Sequence, residues 1–501
     1  MVPYRRIAAL LAALSLAAPA LAATGPVVAT DLGRVRGVSL GKGAAFRGIP
    51  FAAPPVGALR WREARPAKPW ARVRPATAFG PVCIQPASPS TAGMPQSEDC
   101  LTLNIVTPDI TARGLPVLFQ VHGGAFFVGS GRYIADKDLS PIVRRGVVLV
   151  SPNYRVGRMG FFAHPALNAE AGHGTGNFWL SDLIAALDWT RRNIAHFGGD
   201  PGRMTISGCS AGGSAINALM AAPVSRGLFA RAAVHSGGGF FNATRPIETA
   251  LKQGVAFAKR AGVDDLAGLR ALTPAQVLAA DPGPPDYGAI VDGHLLTRPI
   301  SRTFAAGGQA PVPMIAGSTS NEASVFGLMG FDAAVLRERF GIDMAALRPL
   351  YERDGALNDA EYLRRVQTDF IFTSAAQGMA ALAARAAPAW AYHFDHVPAA
   401  QRGTAPGAPH CADMPYIFEP NDHRDEAERR LAGVLQSYWY NFIATGDPNG
   451  PGLVRWPGSR PGRPTTLLIG ETMRASDDFQ RDRLDHWFAK WQVESGAAIR
   501  P

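Results

Sequence analysis

The chain has 501 residues, 47% of them apolar and 18% charged, with four cysteines and a formal net charge of +10. A chain this long and this apolar can bury a large core. It exceeds the usual ~100 to 200 residues per domain, although α/β enzymes of this size often keep one sheet and add helical insertions. The basic residues are scattered and only six are lysines. No basic stripe with interleaved aromatics appears, so a nucleic-acid partner is excluded and the charge reads as a composition bias.

Residues 1–22 carry Arg5 and Arg6, an uncharged apolar run over 7–16, and Ala20-Leu21-Ala22. That order fits a secretory signal cleaved before Ala23, and it predicts a secreted or periplasmic protein. The run is shorter than the ~20 apolar residues of a spanning helix, and no later stretch is long and apolar enough to span, so no stable membrane insertion is expected. Residues 23–501 hold no repeat and no long linker, and they read as a single domain.

Apolar runs that read as buried strands recur at 117–121, 147–151, 204–207, 232–235, 313–317 and 390–394. Helical patterns lie between several of them. Over 180–197, Leu183, Ile184, Leu187, Ile194 and Phe197 share one helix face, as do Leu431, Val434, Leu435, Tyr438, Trp439 and Phe442 further on. The alternation predicts an α/β fold with a mostly parallel central sheet flanked by helices. Segments 246–280 and 331–384 look helical and half polar, and they are candidates for cap helices over a site.

Two segments after predicted strands carry chemistry. Gly208-Cys209-Ser210-Ala211-Gly212 sets a serine between glycines at a strand-to-helix turn, the pattern of a nucleophile elbow, where close backbone approach leaves no room for a Cβ. His122-Gly123-Gly124-Ala125-Phe126 supplies a small-residue loop whose N–H groups can face an oxyanion. With the N–H of Ala211, those of Gly124 and Ala125 are the expected hole, and Gly123 is the near alternative. An attacking serine also needs a base and an acid that orients it. Eleven histidines compete for the first role, and position alone does not choose among them. His122 belongs to the oxyanion loop, while His235 and Asp182 read as structural hydrogen-bonding groups. Phe126, Phe127, Phe240 and Phe241 either line a pocket or pack in the core.

Four stretches carry a family resemblance: Phe46-Arg47-Gly48-Ile49-Pro50-Phe51-Ala52-Ala53-Pro54-Pro55, Ser97-Glu98-Asp99-Cys100-Leu101-Thr102-Leu103-Asn104, Asn153-Tyr154-Arg155-Val156-Gly157 and Phe442-Ile443-Ala444-Thr445-Gly446-Asp447-Pro448-Asn449. In this order, and with the elbow, the chain resembles the type-B carboxylesterases, the α/β-hydrolase family of cholinesterases and bacterial p-nitrobenzyl esterases. The resemblance implies an α/β-hydrolase fold, a small-molecule ester substrate, and a triad in chain order Ser210, Glu322, His410. It leaves Asp292 to a family turn, and it pairs Cys83 with Cys100, as their local spacing also favours. The implied mechanism asks for no metal or organic cofactor, and no Cys-x-x-Cys or His-x-x-x-His spacing marks a zinc site.

Most relatives carry an acidic residue before the nucleophile; here it is Cys209, and the residue after the expected base is Cys411. This Cys-Ser and His-Cys pattern resembles that of tannases and feruloyl esterases, in which the two cysteines are joined. Ser210 and His410 must approach within hydrogen-bond reach to act together, which brings their neighbours into disulfide range. A Cys209–Cys411 bridge is therefore expected, the alternative being two buried free thiols. A site without that carboxylate should accept anionic acyl groups better and cationic alcohols worse. Esters of polycarboxylates of the fumonisin type and of phenolic acids are the substrate candidates. The competing class is a non-catalytic adhesion or binding member of the same fold, and the intact Ser210, Glu322 and His410 argue against it.

Overall fold

The computed structural model describes residues 25–132, 140–238, 244–281, 283, 287–328, 331–421, 424–461, 464–495 and 499. The expected leader, residues 1–22, lies outside them, as do Phe240 and Phe241. Among the described residues the main sheet has eleven strands. In chain order they are β1 (Val38–Leu40), β2 (Gly43–Pro50), β3 (Thr102–Thr107), β4 (Leu115–Val121), β5 (Val148–Pro152), β6 (Gly199–Cys209), β7 (Arg231–His235), β8 (Met314–Thr319), β9 (Ala389–Phe394), β10 (Thr466–Ile469) and β11 (Met473–Ser476).

Across the sheet the order is β11-β10-β9-β8-β7-β6-β4-β5-β3-β2-β1. The strands from β10 to β5 run parallel, and antiparallel strands close both edges. The six strands read from apolar runs are all present in this parallel centre. Their near-continuous apolar sequences suit strands covered on both faces. Strand order turns at β4, which has β5 on one side and β6 on the other. A crevice outside the carboxyl ends of the strands at such a point is where α/β sheets bind ligands.

Two of the helices on one face lie beside the elbow. The helix α1 (Phe178–Asn193) continues through a 3-10 turn at Ile194–Phe197, so the periodic segment 180–197 is two elements in one line. Its Leu183, Leu187, Ile194 and Phe197 are fully buried. The helix α2 (Ala211–Ala221) follows the elbow directly and is buried nearly all round, which its Ala-rich sequence permits. On the other face, α3 (Glu426–Thr445) buries Leu435, Tyr438, Trp439 and Phe442 against Tyr392 and Leu467. Segment 246–280 begins with a short strand pairing at Thr244–Pro246 and continues as helices Ile247–Arg260, Leu266–Ala271 and Pro274–Ala280. Segment 331–384 is helical, with a π-turn at Asp369–Thr373.

Asp182 on α1 is the structural group the sequence suggests. It accepts from the backbone N, Nε and Nη2 of Arg155 at 3.0, 2.8 and 2.6 Å, with both side chains buried. This pair ties the loop after β5 to the helix. Cys83 and Cys100 form a disulfide with Cα atoms 5.0 Å apart, tying two N-terminal loops.

Two buried imidazoles give the fold a pH dependence. Burial pushes His122, after β4, down to about 4 and His393, on β9, down to about 3. In an unfolded chain both would titrate near 6.5. Between those values the unfolded state binds more protons, so stability falls as pH falls from about 6.5 toward 4. Denaturant titrations across that window should show this slope, and His393→Gln should flatten it. A slope unchanged in His393→Gln would contradict the assignment.

Candidate active site

The end of β6 is fixed before any side chain is considered. Gly208 pairs with Val121 of β4 and Cys209 with His235 of β7, so the chain leaves the sheet between two loops. Ser210 then adopts φ 60°, ψ −126°, a conformation that non-glycine residues rarely take, and starts α2 as its N-cap. Its N–H donates to the His235 carbonyl at 3.0 Å, and its carbonyl accepts from Ser214 N at 2.9 Å.

The glycines around it are there for space. A Cβ on Gly208 would lie 2.5 Å from the Gly212 backbone, and one on Gly212 would lie 2.3 Å from the Val121 carbonyl oxygen. One on Gly123 would lie 2.8 Å from the Cys209 carbonyl oxygen and 3.3 Å from Ser210 Cβ. The loop after β4 therefore lies directly against the elbow.

That loop is turned by positive φ at Gly124, Ala125 and Phe126 (106°, 54° and 60°). The Gly124 carbonyl accepts from Phe127 N and Val128 N at 2.9 and 3.0 Å. Among the described residues, the N–H groups of Gly124, Ala125 and Ala211 donate to no protein acceptor. Below them the His122 ring stacks on Tyr154 with centroids 4.3 Å apart, donates through Nδ1 to the Gly123 carbonyl at 2.9 Å, and stays neutral in its buried setting. The Tyr154 hydroxyl donates to the His122 carbonyl at 3.0 Å. The loop is thus fixed by backbone and ring contacts that leave three N–H groups uncommitted.

Glu322 and His410 meet through two loops zipped side by side. Glu322 follows the end of β8 and is fully buried. Its Oε1 accepts from Thr319 N at 2.6 Å, and its Oε2 accepts from His410 Nδ1. Asn321 N donates to the Ala408 carbonyl at 2.8 Å, Ala408 N to Ser320 Oγ at 2.9 Å, and His410 N to Ser324 Oγ at 2.9 Å. With Nδ1 donating to Glu322, Nε2 carries the lone pair, and it is buried without a hydrogen-bond partner among the described residues. Phe372 lies against the ring, centroid to centroid 4.8 Å.

A disulfide joins this arrangement to the elbow. Cys209 and Cys411 are bonded with Cα atoms 6.2 Å apart, across 202 residues of chain. They are not free thiols. The segment after the bridge is pinned again by Asp413, whose Oδ2 accepts from the Tyr392 hydroxyl at 2.7 Å and contacts His235 Nδ1 at 2.7 Å. Trp439 Nε1 donates to His235 Nε2 at 3.3 Å. Burial disfavours the Asp413 carboxylate, but His235 and Tyr392 outweigh it and hold its carboxyl below the usual range. The sequence reading placed His235 as structural and missed Asp413, whose signal was its position three residues after His410.

Other expected residues resolve as packing or turns. Phe126 is buried against Phe161 and Trp179, and Phe127 stacks on Tyr287. Asp292 accepts from His294 N and Leu296 N at 3.0 and 2.9 Å and from Asn177 Nδ2 at 2.7 Å, as a turn residue does.

A profile of the carboxylesterase family matches residues 24–487. The chain belongs to that family. It is 33% identical over 489 residues to phenmedipham hydrolase of Pseudarthrobacter oxydans, covering 89% of this chain and 96% of that protein. It is also 33% identical over 462 residues to fumonisin B1 esterase of Sphingopyxis macrogoltabida, covering 85% of this chain and 83% of that one. A solved p-nitrobenzyl esterase superposes with a TM-score of 0.81 at 30% identity, over 92% of this chain and 100% of its own. This chain has the α/β-hydrolase fold, and it is a carboxylic ester hydrolase.

The Cys209–Cys411 bridge closes a loop worth about 5 kcal/mol in the chain-entropy model, and a ~1 Å misplacement of a reacting group can cost about 100-fold in rate. Replacing both cysteines by serine should lower kcat on an activated ester by at least about tenfold and lower the thermal midpoint. An unchanged kcat and midpoint would show that the bridge holds nothing in place.

Proposed function

We propose that the protein is an exported serine esterase acting through an acyl-enzyme on Ser210. His410 Nε2 takes the proton of Ser210 Oγ as it attacks the acyl carbon. The N–H groups of Gly124, Ala125 and Ala211 stabilise the oxyanion of the tetrahedral intermediate. His410 returns the proton to the departing alcohol, and water repeats the cycle to release the acid. Glu322 holds the imidazole tautomer and stabilises the imidazolium. The observation that carries this reading is His410 itself: Nδ1 is engaged by a fully buried carboxylate, Nε2 is left with its lone pair, and the next residue is bonded to the one before Ser210.

Export is supported by the leader-like residues 1–22 and by two disulfides, which persist in oxidising compartments. Residues 23–501 then act as one domain. The substrate reading follows from Cys209. With no carboxylate beside the nucleophile and a mature chain of net charge +8 once Arg5 and Arg6 leave with the leader, the site favours anionic acyl groups, such as polycarboxylic half-esters, over cationic alcohols. The relative named for fumonisin B1 supports that class. Phenolic-acid esters are the second reading, favoured by Phe372 against His410 and by Phe326 stacked on Phe372 at 5.7 Å.

Ser210→Ala should lower kcat by about 10⁴-fold or more, and Glu322→Gln should lower it by up to about 10⁴-fold. In a panel of neutral, anionic, phenolic and choline esters, choline esters should have the lowest kcat/KM. A preference for choline esters would contradict the charge argument, and near-normal turnover by Ser210→Ala would contradict the mechanism.

A further inference from the structure

Away from the elbow, Glu63, His173 and His294 come together from three segments far apart in the sequence. One ligand atom from each lies within 4.8 Å of the others. We propose that these residues form a binding site for a divalent transition-metal ion of the zinc class, held by two imidazoles and one carboxylate with water completing the shell. No metal-ligand spacing marks it in the sequence because the backbone, and not a local motif, brings the ligands together.

Each segment is anchored independently of any ion. Ala64 N donates to Ser181 Oγ at 2.7 Å, fixing the loop of Glu63 on α1. His173 follows Gly172, the left-handed cap of helix Pro165–Ala171, and its loop is held by Asn168 Oδ1, which accepts from Thr175 N and Oγ1 at 2.9 and 2.8 Å. His294 sits on the turn that Asp292 closes. A Cβ on Gly174 would lie 2.1 Å from the Asp292 carbonyl oxygen. Only glycine permits that approach, which brings the two imidazoles together, stacked with centroids 3.9 Å apart, so that one ring must turn about its Cβ–Cγ bond for both Nε2 lone pairs to meet at one ion.

The chemistry of the donors fits a metal. A carbonyl only accepts, so the 2.8 Å contact of His173 Nδ1 with the Gly174 carbonyl makes Nδ1 the protonated nitrogen and leaves the Nε2 lone pair free. Metal-binding histidines commonly have their other nitrogen fixed in this way. His294 Nε2 and Glu63 Oε1 are 3.3 Å apart. Ligand atoms of a tetrahedral zinc site, at ~2.0 to 2.2 Å from the ion, stand about 3.3 Å from one another. Two imidazoles and a carboxylate suit zinc and its neighbours and not calcium or magnesium, which prefer all-oxygen shells. The site shares no residue with the Ser210 machinery, so the ion would act as a clip across three surface loops.

Zinc chloride added to the tag-free, EDTA-stripped protein, in competition with a chromogenic chelator, tests the site. One equivalent should bind and raise the thermal midpoint by linkage. His173→Ala and His294→Ala should each weaken binding beyond the ~10- to 100-fold that loss of an outer-shell partner costs, while His196→Ala on an exposed turn should leave it unchanged. If either histidine variant melts early in EDTA, Glu63→Gln, at a half-exposed side chain, gives the same readout with less risk to the fold. Failure of the stripped protein to bind zinc, or affinity unchanged in the His173, His294 and Glu63 variants, would overturn the proposal.

Discussion

Ser210 sits at φ 60° at the sharp turn from the strand before it into the helix after it. A non-glycine residue in such a conformation costs on the order of 1–3 kcal/mol and persists only where its surroundings over-determine it. Here they do. The β6 register fixes Gly208 beside Val121 and Cys209 beside His235, and the Ser210 N–H is taken by the His235 carbonyl. The glycine contacts follow from that geometry, since Gly123, Gly208 and Gly212 stand where a side-chain carbon would collide with backbone. The same closeness puts the loop after β4 beside the first turn of α2, with its N–H groups uncommitted.

The second constraint acts on the far partner. A loop carrying His410 comes from a part of the chain two hundred residues beyond the elbow, and only long-range contacts can hold it there. Three kinds do so in parallel: the backbone and serine hydrogen bonds that zip Ser320, Asn321 and Ser324 to Ala408 and His410, the Cys209–Cys411 bond, and the buried Asp413 contacts with His235 and Tyr392. Cys411, like Ser210, has a positive φ of 61°. The bond therefore links the residues flanking the two expected reactive groups, with Ser210 and Cys411 both in strained backbone. A carboxylate at position 209 would have repelled anions at this point; the half-cystine contributes no charge and adds a covalent tie.

Local features of the chain were legible, and long-range ones were legible only in part. The elbow, the oxyanion loop and the six central strands carry short patterns that report their own structure. The β6 strand begins earlier than its apolar run because Gly199 pairs with Leu115 before the register shifts ahead of Met204. The edge strands β1, β2, β3, β10 and β11 escaped notice since they are short or mix polar and small residues, and their pairing is decided by neighbours. Among eleven histidines, nothing local distinguishes His410; the family resemblance pointed to it and to Glu322, and the fold brings the two into hydrogen-bond contact. Asp413 and the Glu63, His173 and His294 cluster were invisible for a related reason. Their partners are supplied by separate strands and loops, and no spacing in the sequence encodes the meeting.

The central claim is that Ser210 is the residue acylated during turnover, and mass spectrometry tests it directly. The enzyme would be mixed with an activated ester, quenched in acid during the pre-steady-state phase, and digested with its disulfides intact. The account predicts one acyl group, located on Ser210, in a peptide still cross-linked to the one bearing His410. An acyl group on another residue, or turnover with no covalent adduct at any quench time, would contradict it.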